Sequence, residues 1–203
     1  VEPGTYRVRG IYRDEVKVSY ELTPYSAGNP PWLTPDGKGG WLADHTPPYD
    51  ALYVPEAWSG GPEILLTSYV VEHGHGLIGV DPEGNKLWGV RRLGGVWTGG
   101  SHLARDDGPE ADPEVIAYVG SWWSAGGGKG EVRLTALRRD GRQQTVLKHR
   151  MESKKKARLG GLAVRNGLLV ASLPEVGQIL FVNAPNGDVA GTVEMKSPGS
   201  LAF

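Results

Sequence analysis

Two histidines stand two residues apart in VVEHGHGLIG, and if that stretch is extended His73 and His75 put both imidazoles on one side of the backbone. With His102 in GGSHLARD they make three imidazoles, and Glu72, Asp44 or Asp106 would add charge. That donor set suits zinc, copper or iron, so His73, His75 and His102 are the first-choice ligands of a candidate divalent-metal site, with His45 in ADHTPP a further imidazole nearby. The plainer reading is that no cofactor is held. Histidines between glycines in loops more often bond to backbone or line a wet channel.

Tryptophan is the second chemical lead, at 7 in 203 residues. Trp97, Trp122 and Trp123 sit in the Gly/Ser-rich strings GVWTGGSH and GSWWSAGGG. Adjacent side chains on a strand point to opposite faces, so Trp122 and Trp123 divide into one buried and one displayed. A displayed indole is a stacking platform for a sugar ring or another apolar ligand, which makes these three the candidate ligand-binding residues.

Other catalytic sets are poor. Ser101 and His102 are adjacent, and neighbouring strand side chains diverge, so they form no triad. The Gly-rich run 125–129 has no Ser or Thr after Lys129 and no following helical pattern, which removes a phosphate loop. The acidic stretch Asp106, Asp107, Glu110 and Asp112 reads as a solvated loop between strands. No pair of carboxylates is fixed at the separation glycoside hydrolysis needs.

Bulk composition narrows the partners. The net charge is -1 and the isoelectric point about 6.6, so neither nucleic acid nor an anionic membrane is drawn in electrostatically. The one basic cluster, Lys154 to Lys156 with Arg158, reads as a solvated linker. Cysteine is absent, which excludes disulfides, thiolate metal sites and a cysteine nucleophile. No apolar stretch reaches the roughly 18 residues of a membrane span. The opening VEPGTYRVRG has no initiator Met and no signal-peptide apolar run, so the chain is expected to be internal to a longer polypeptide.

The elements that must position these residues are strands. The 31 Gly and 15 Pro alternate with apolar runs, as in an all-β chain rich in turns. Three strings share one form, an apolar run, a turn ending in Gly and a second run: GLIGVDPEGNKLWG, VRLTALRRDGRQQTVL and QILFVNAPNGDVAGTV, turning at Gly84, Gly141 and Gly187. These predict β-hairpins. Two further short strands precede each hairpin, the first with a Leu-Ala pair at 103–104 and 162–163; the pair returns at 201–202, and Ala51-Leu52 is a looser relative. Four strands every roughly 40 to 60 residues is the period of β-propeller blades.

Strands are expected at Ala51 to Val54, Ile64 to Tyr69, Leu77 to Asp81 and Lys86 to Val90; then His102 to Arg105, Val115 to Trp122, Glu131 to Arg138 and Gln143 to Lys148; then Leu162 to Arg165, Leu168 to Leu173, Ile179 to Asn183 and Val189 to Glu194. They place three blades over 51–98, 99–158 and 159–196, with 197–203 opening a fourth. Three blades do not close a ring, so the reading is an incomplete propeller. Ahead of it, Thr5 to Tyr12 and Glu15 to Leu22 alternate apolar and polar residues as a hairpin does, and the Pro/Gly/Trp-rich segment 29–50 links the two parts.

The string GTYRVRGIYRDEVKVSYEL resembles the last two strands of the FlgD-like immunoglobulin domain, which makes 1–28 the C-terminal hairpin of such a sandwich. NPPW at 29–32 and DGKGGWLADHTPP at 36–48 resemble the junction of such domains with a propeller in large secreted bacterial proteins. GLIGVDPEGNKLWG is similar to the repeat of quinoprotein-like propellers through Asp81, Gly84, Lys86 and Trp88, with Trp88 expected in blade packing; the other two strings lack that Trp. The resemblance implies an extracellular, cell-surface or periplasmic location and a noncatalytic binding or scaffold module, with a carbohydrate or protein ligand and the remaining blades and immunoglobulin strands of the parent polypeptide as partners. The alternative it implies is part of a metal- or quinone-assisted propeller enzyme acting on carbohydrate or a small molecule.

Overall fold

The computed structural model describes residues 6–12, 15–22, 50–67, 77–82, 86–90, 100–124, 130–151 and 158–201. All the regular structure among them is β, and no helix there is long and apolar enough to cross a membrane. The chain divides into two compact units, Val1–Arg92 and Leu93–Phe203.

In the first unit β1 (Tyr6–Tyr12) pairs antiparallel with β2 (Glu15–Leu22), from Tyr6 opposite Leu22 to Tyr12 opposite Glu15, with a bulge between Gly10 and Ile11. Arg13 and Asp14, between the two strands, lie outside the described residues. A four-stranded antiparallel sheet follows in the order β3 (Asp50–Val54), β4 (Glu63–Thr67), β5 (Leu77–Val80), β6 (Lys86–Val90). Every residue of β4 and β5 is buried, which explains their unbroken apolar runs ILL and LI-V. A carboxylate interrupts the pattern. Glu63 is fully buried, and both its oxygens are answered: Oε1 accepts from the Ser59 amide at 2.7 Å and Oε2 from Trp88 Nε1 at 2.6 Å. The Trp88 indole lies over Gly79 of the adjacent strand, where any Cβ would overlap it, and meets Trp58 edge-on with ring centroids 4.4 Å apart. Trp88 thus joins two strands and a loop of its own sheet.

The second unit holds two more four-stranded antiparallel sheets. One runs β7 (Gly100–Ala104), β8 (Val115–Ser124), β9 (Gly130–Arg138), β10 (Gln143–Met151); the other runs β11 (Gly161–Arg165), β12 (Leu168–Leu173), β13 (Gln178–Asn183), β14 (Val189–Glu194). Each strand pairs with its sequence neighbour, so each sheet is a meander. Tyr118, Trp122, Val132, Leu134 and Ala136 from the first sheet pack against Leu162, Val164, Leu169, Ala171, Leu180 and Val182 from the second. Fully burying a Leu or Ile contributes about 1.5–3 kcal/mol, and Leu134, Leu159, Leu169 and Leu173 are all fully buried.

The opposite face of the β7–β10 sheet is buried as well, through Ser101, Val119, Ser121, Thr135 and Leu137. That face carries an ion pair between buried Arg133 and partly buried Glu131. Arg133 reaches Glu131 Oε1 with Nη2 at 2.6 Å and Nε at 3.1 Å, two residues along the same side of β9.

Gly141 and Gly187 take the positive φ their turns require, 84° and 76°; Gly84 lies outside the described residues. After β14 the chain returns to the start of β11, where Ser172 Oγ donates to the Gly199 carbonyl at 2.6 Å and Gly161 lies against Ser200 and Leu201. Leu201 is in no strand, and residues 202–203 of the expected fourth blade lie outside the described residues.

Candidate functional site

The two sheets of the second unit meet along β7 and β11, the strands that carry the repeated Leu-Ala pair. Beyond Ala104 the chain leaves β7 through Arg105, Asp106, Asp107 and Gly108; beyond Arg165 it reverses through Asn166 and Gly167 into β12. Asn166 and Gly167 have φ of 50° and 73°, the positive pair that an Asn-Gly hairpin turn uses to match strand twist.

Asp106 ties the two exits together. Its Oδ1 accepts from the Gly108 amide at 3.0 Å and the Asn166 amide at 2.9 Å, and Oδ2 accepts from the Gly167 amide at 2.7 Å. Hydrogen bonds to an ionised acceptor are the strong ones, so one carboxylate holds a loop and a turn 60 residues apart. Gly108 is required because a Cβ there would collide with the Asn166 side chain and stand 2.9 Å from its amide nitrogen. The Gly167 carbonyl then accepts from Ala184 N at 2.7 Å, which anchors the turn to the β13–β14 connection.

Above this anchored base lies an open cavity of ≈ 400 Å³ lined by Leu103 to Arg105, Asp107, Gly108 and Leu162 to Arg165. Its charged groups are two guanidiniums and one carboxylate. Arg105 Nε lies 3.2 Å from Asp107 Oδ1, while Arg165 is exposed and pairs with no acid among the described residues. A guanidinium presents a rigid fork of N–H donors that fits carboxylate, sulfate or phosphate. This set can bind and orient a charged or polar group.

A smaller pocket of ≈ 170 Å³ lies nearby, with Glu110, Asp112, Tyr118, Arg138 and Gln144 in its lining. Burial, then the charges of Asp106 and Asp112, push the Tyr118 hydroxyl up to about 12, with Arg138 opposing. Asp112 Oδ2 at 3.4 Å and Gln144 Oε1 at 3.1 Å hold Arg138 Nη1. Tyr118 stays a neutral phenol at physiological pH.

Of the residues singled out in the sequence, the structure brings two together. His102 is half-buried on β7, and its imidazole lies 5.8 Å from the Trp122 indole at a 30° tilt. Trp122 is 8% exposed and belongs to the core. The Trp123 side chain lies outside the described residues, as do His73, His75 and Trp97. Among the described residues no group of three or more His, Asp or Glu is placed to hold a metal ion. Ser101 is fully buried and alternates with His102 across β7.

The sequence reads Asp106 as charge beside a metal or as part of a solvated loop; instead it is half-buried and ties two turns, and nothing in the sequence singles out Arg105 or Arg165. Two local signals were present: Asp106 two residues before Gly108, the spacing of an Asx turn, and the Asn166-Gly167 dipeptide. Neither says that the two turns meet. No family model matches this chain, and no curated protein matches it.

Proposed function

We propose that this chain is a noncatalytic binding module built from propeller-type blades, part of a larger extracytoplasmic bacterial protein, with its ligand held in the cleft between β7 and β11. The observation that carries this reading is the cleft itself. A ≈ 400 Å³ cavity opens where two sheets abut, within the size range of small-ligand sites, and hydrogen-bonded turns brace its base.

Support for propeller-type blades comes from the meander order of each sheet, the face-to-face packing of β7–β10 on β11–β14, and the return of 198–201 to the start of β11. The FlgD-like and quinoprotein-like strings support an extracytoplasmic parent protein. A glycan array probed with the 203-residue chain and with Ala163→Trp, which fills the cavity, tests the proposal. Binding to at least one saccharide, lost on Ala163→Trp in a variant that keeps its amide spectrum, is the expected result. No saccharide bound by the parent chain, or binding indifferent to Ala163→Trp, overturns it.

A further inference from the structure

We infer that the cleft between β7 and β11 is an oxyanion subsite, in which Arg105 and Arg165 receive the carboxylate or sulfate group of an acidic saccharide. This rests on the cleft being the binding site of the module and adds the chemistry of what enters it.

Charge is the first ground. The lining holds two guanidiniums and the carboxylate of Asp107, and the exposed Arg165 pairs with no acid among the described residues, so its fork of donors is the one open to an anion. The adjacent Asp106 keeps its negative charge beneath the cavity without lining it, and its two oxygens accept from the amides of Gly108, Asn166 and Gly167 and not from either guanidinium in any bond described.

Placement is the second. Arg105 follows the Leu-Ala pair of β7 directly, and Arg165 is the last residue of β11, so both leave strand ends braced by the Asp106 clamp. Asp107 takes the Nε edge of Arg105 at 3.2 Å, which fixes the plane of the guanidinium, and the Arg105 side chain is only 24% exposed. A half-buried, oriented guanidinium and an exposed one in the same lining divide the work, the first fixed in place and the second open to the ligand. Preorganisation of this kind lowers the ordering cost of binding.

The test is isothermal titration of the 203-residue chain with glucuronate, glucose 6-sulfate, inorganic sulfate and glucose. An acidic sugar is expected to bind in the millimolar range, weakening as salt rises, with glucose far weaker. Preference for glucuronate or for glucose 6-sulfate identifies the oxyanion, and inorganic sulfate alone binding as well assigns the affinity to the charge. Arg165→Ala is expected to weaken the bound anion about tenfold and Arg165→Glu to abolish it, because a charge-assisted hydrogen bond is lost and then opposed. Arg165→Lys should keep the charge and lose the fork, giving an intermediate loss. Equal binding of glucose and glucuronate, or Arg165→Glu binding anions as the parent does, overturns the inference. If neutral glycans bind and Ala163→Trp abolishes them while anions gain nothing, the oxyanion assignment alone falls. If Ala163→Trp leaves all binding intact, the cleft is not the binding site and both readings fall.

Discussion

Replacing Asp106 by Ala removes one acceptor from three backbone donors at once. A hydrogen bond to a charged partner contributes about 1.5–3 kcal/mol where water is excluded, and less where it is not. The bonds to Gly108 and Gly167 are partly buried and that to Asn166 is exposed, so a loss of about 2–4 kcal/mol is expected for the Leu93–Phe203 unit. With a urea slope of about 2 kcal/mol/M the midpoint moves down by roughly 1–2 M. Asp106→Asn is the informative control. Its remaining oxygen still accepts from Gly108 and Asn166, while its NH2 group confronts the Gly167 amide, so about half the loss is expected. Hydrogen exchange at Asn166 and Gly167 should rise in both variants. Removing the charge should also lower the Tyr118 pKa, although burial, the larger cause, keeps it above the ordinary value. An Asp106→Ala chain within about 0.5 kcal/mol of the parent, with unchanged exchange at Gly167, would refute the clamp.

Contacts around the clamp and on the other face of the sheet respond in their own ways. Gly108→Ala should destabilise the unit, and pairing it with Asn166→Gly should recover part of the loss in a double-mutant cycle, since the side chain struck is removed and Gly tolerates the φ of 50° there. Glu131→Ala leaves the buried Arg133 guanidinium without its pair and should cost about 3 kcal/mol by denaturant titration, whereas adding Arg133→Met should recover much of it. The Tyr118 pKa is raised on folding, so its contribution is intact below pH 10 and drains away as pH climbs toward 12; Tyr118→Phe should flatten that limb by about 1.4 kcal/mol per pH unit. Burial lowers the His149 pKa, so its contribution is present above the ordinary 6.5 and lost as pH falls through the depressed value, which an NMR titration of the imidazole follows.

Strand positions were legible because their signals are local. The runs at Leu168–Leu173 and Val189–Glu194 begin directly after the turns Asn166-Gly167 and Asn186-Gly187-Asp188, and the strands begin there too. β8 and β10 run past their expected ends because Trp123 pairs with Glu131 and Met151 with Gly130, so a partner strand extends each of them. The buried Glu63 was not legible. Its tolerance comes from Trp88, 25 residues on, and an acid beside an apolar run reads as a strand edge until that indole is placed. The cleft was hidden for the same reason: Arg105 and Arg165 share a cavity only through the packing of two sheets, a contact between distant segments that no residue pattern in either one encodes.

Whether a ligand enters the cleft between β7 and β11 is decided by an amide chemical-shift map of the chain titrated with glucuronate. Perturbations concentrated at Ala104 to Gly108 and Ala163 to Gly167, and absent in Arg165→Glu, are the predicted result. Shifts scattered over the surface, or centred on the Tyr118 and Arg138 pocket instead, would contradict it.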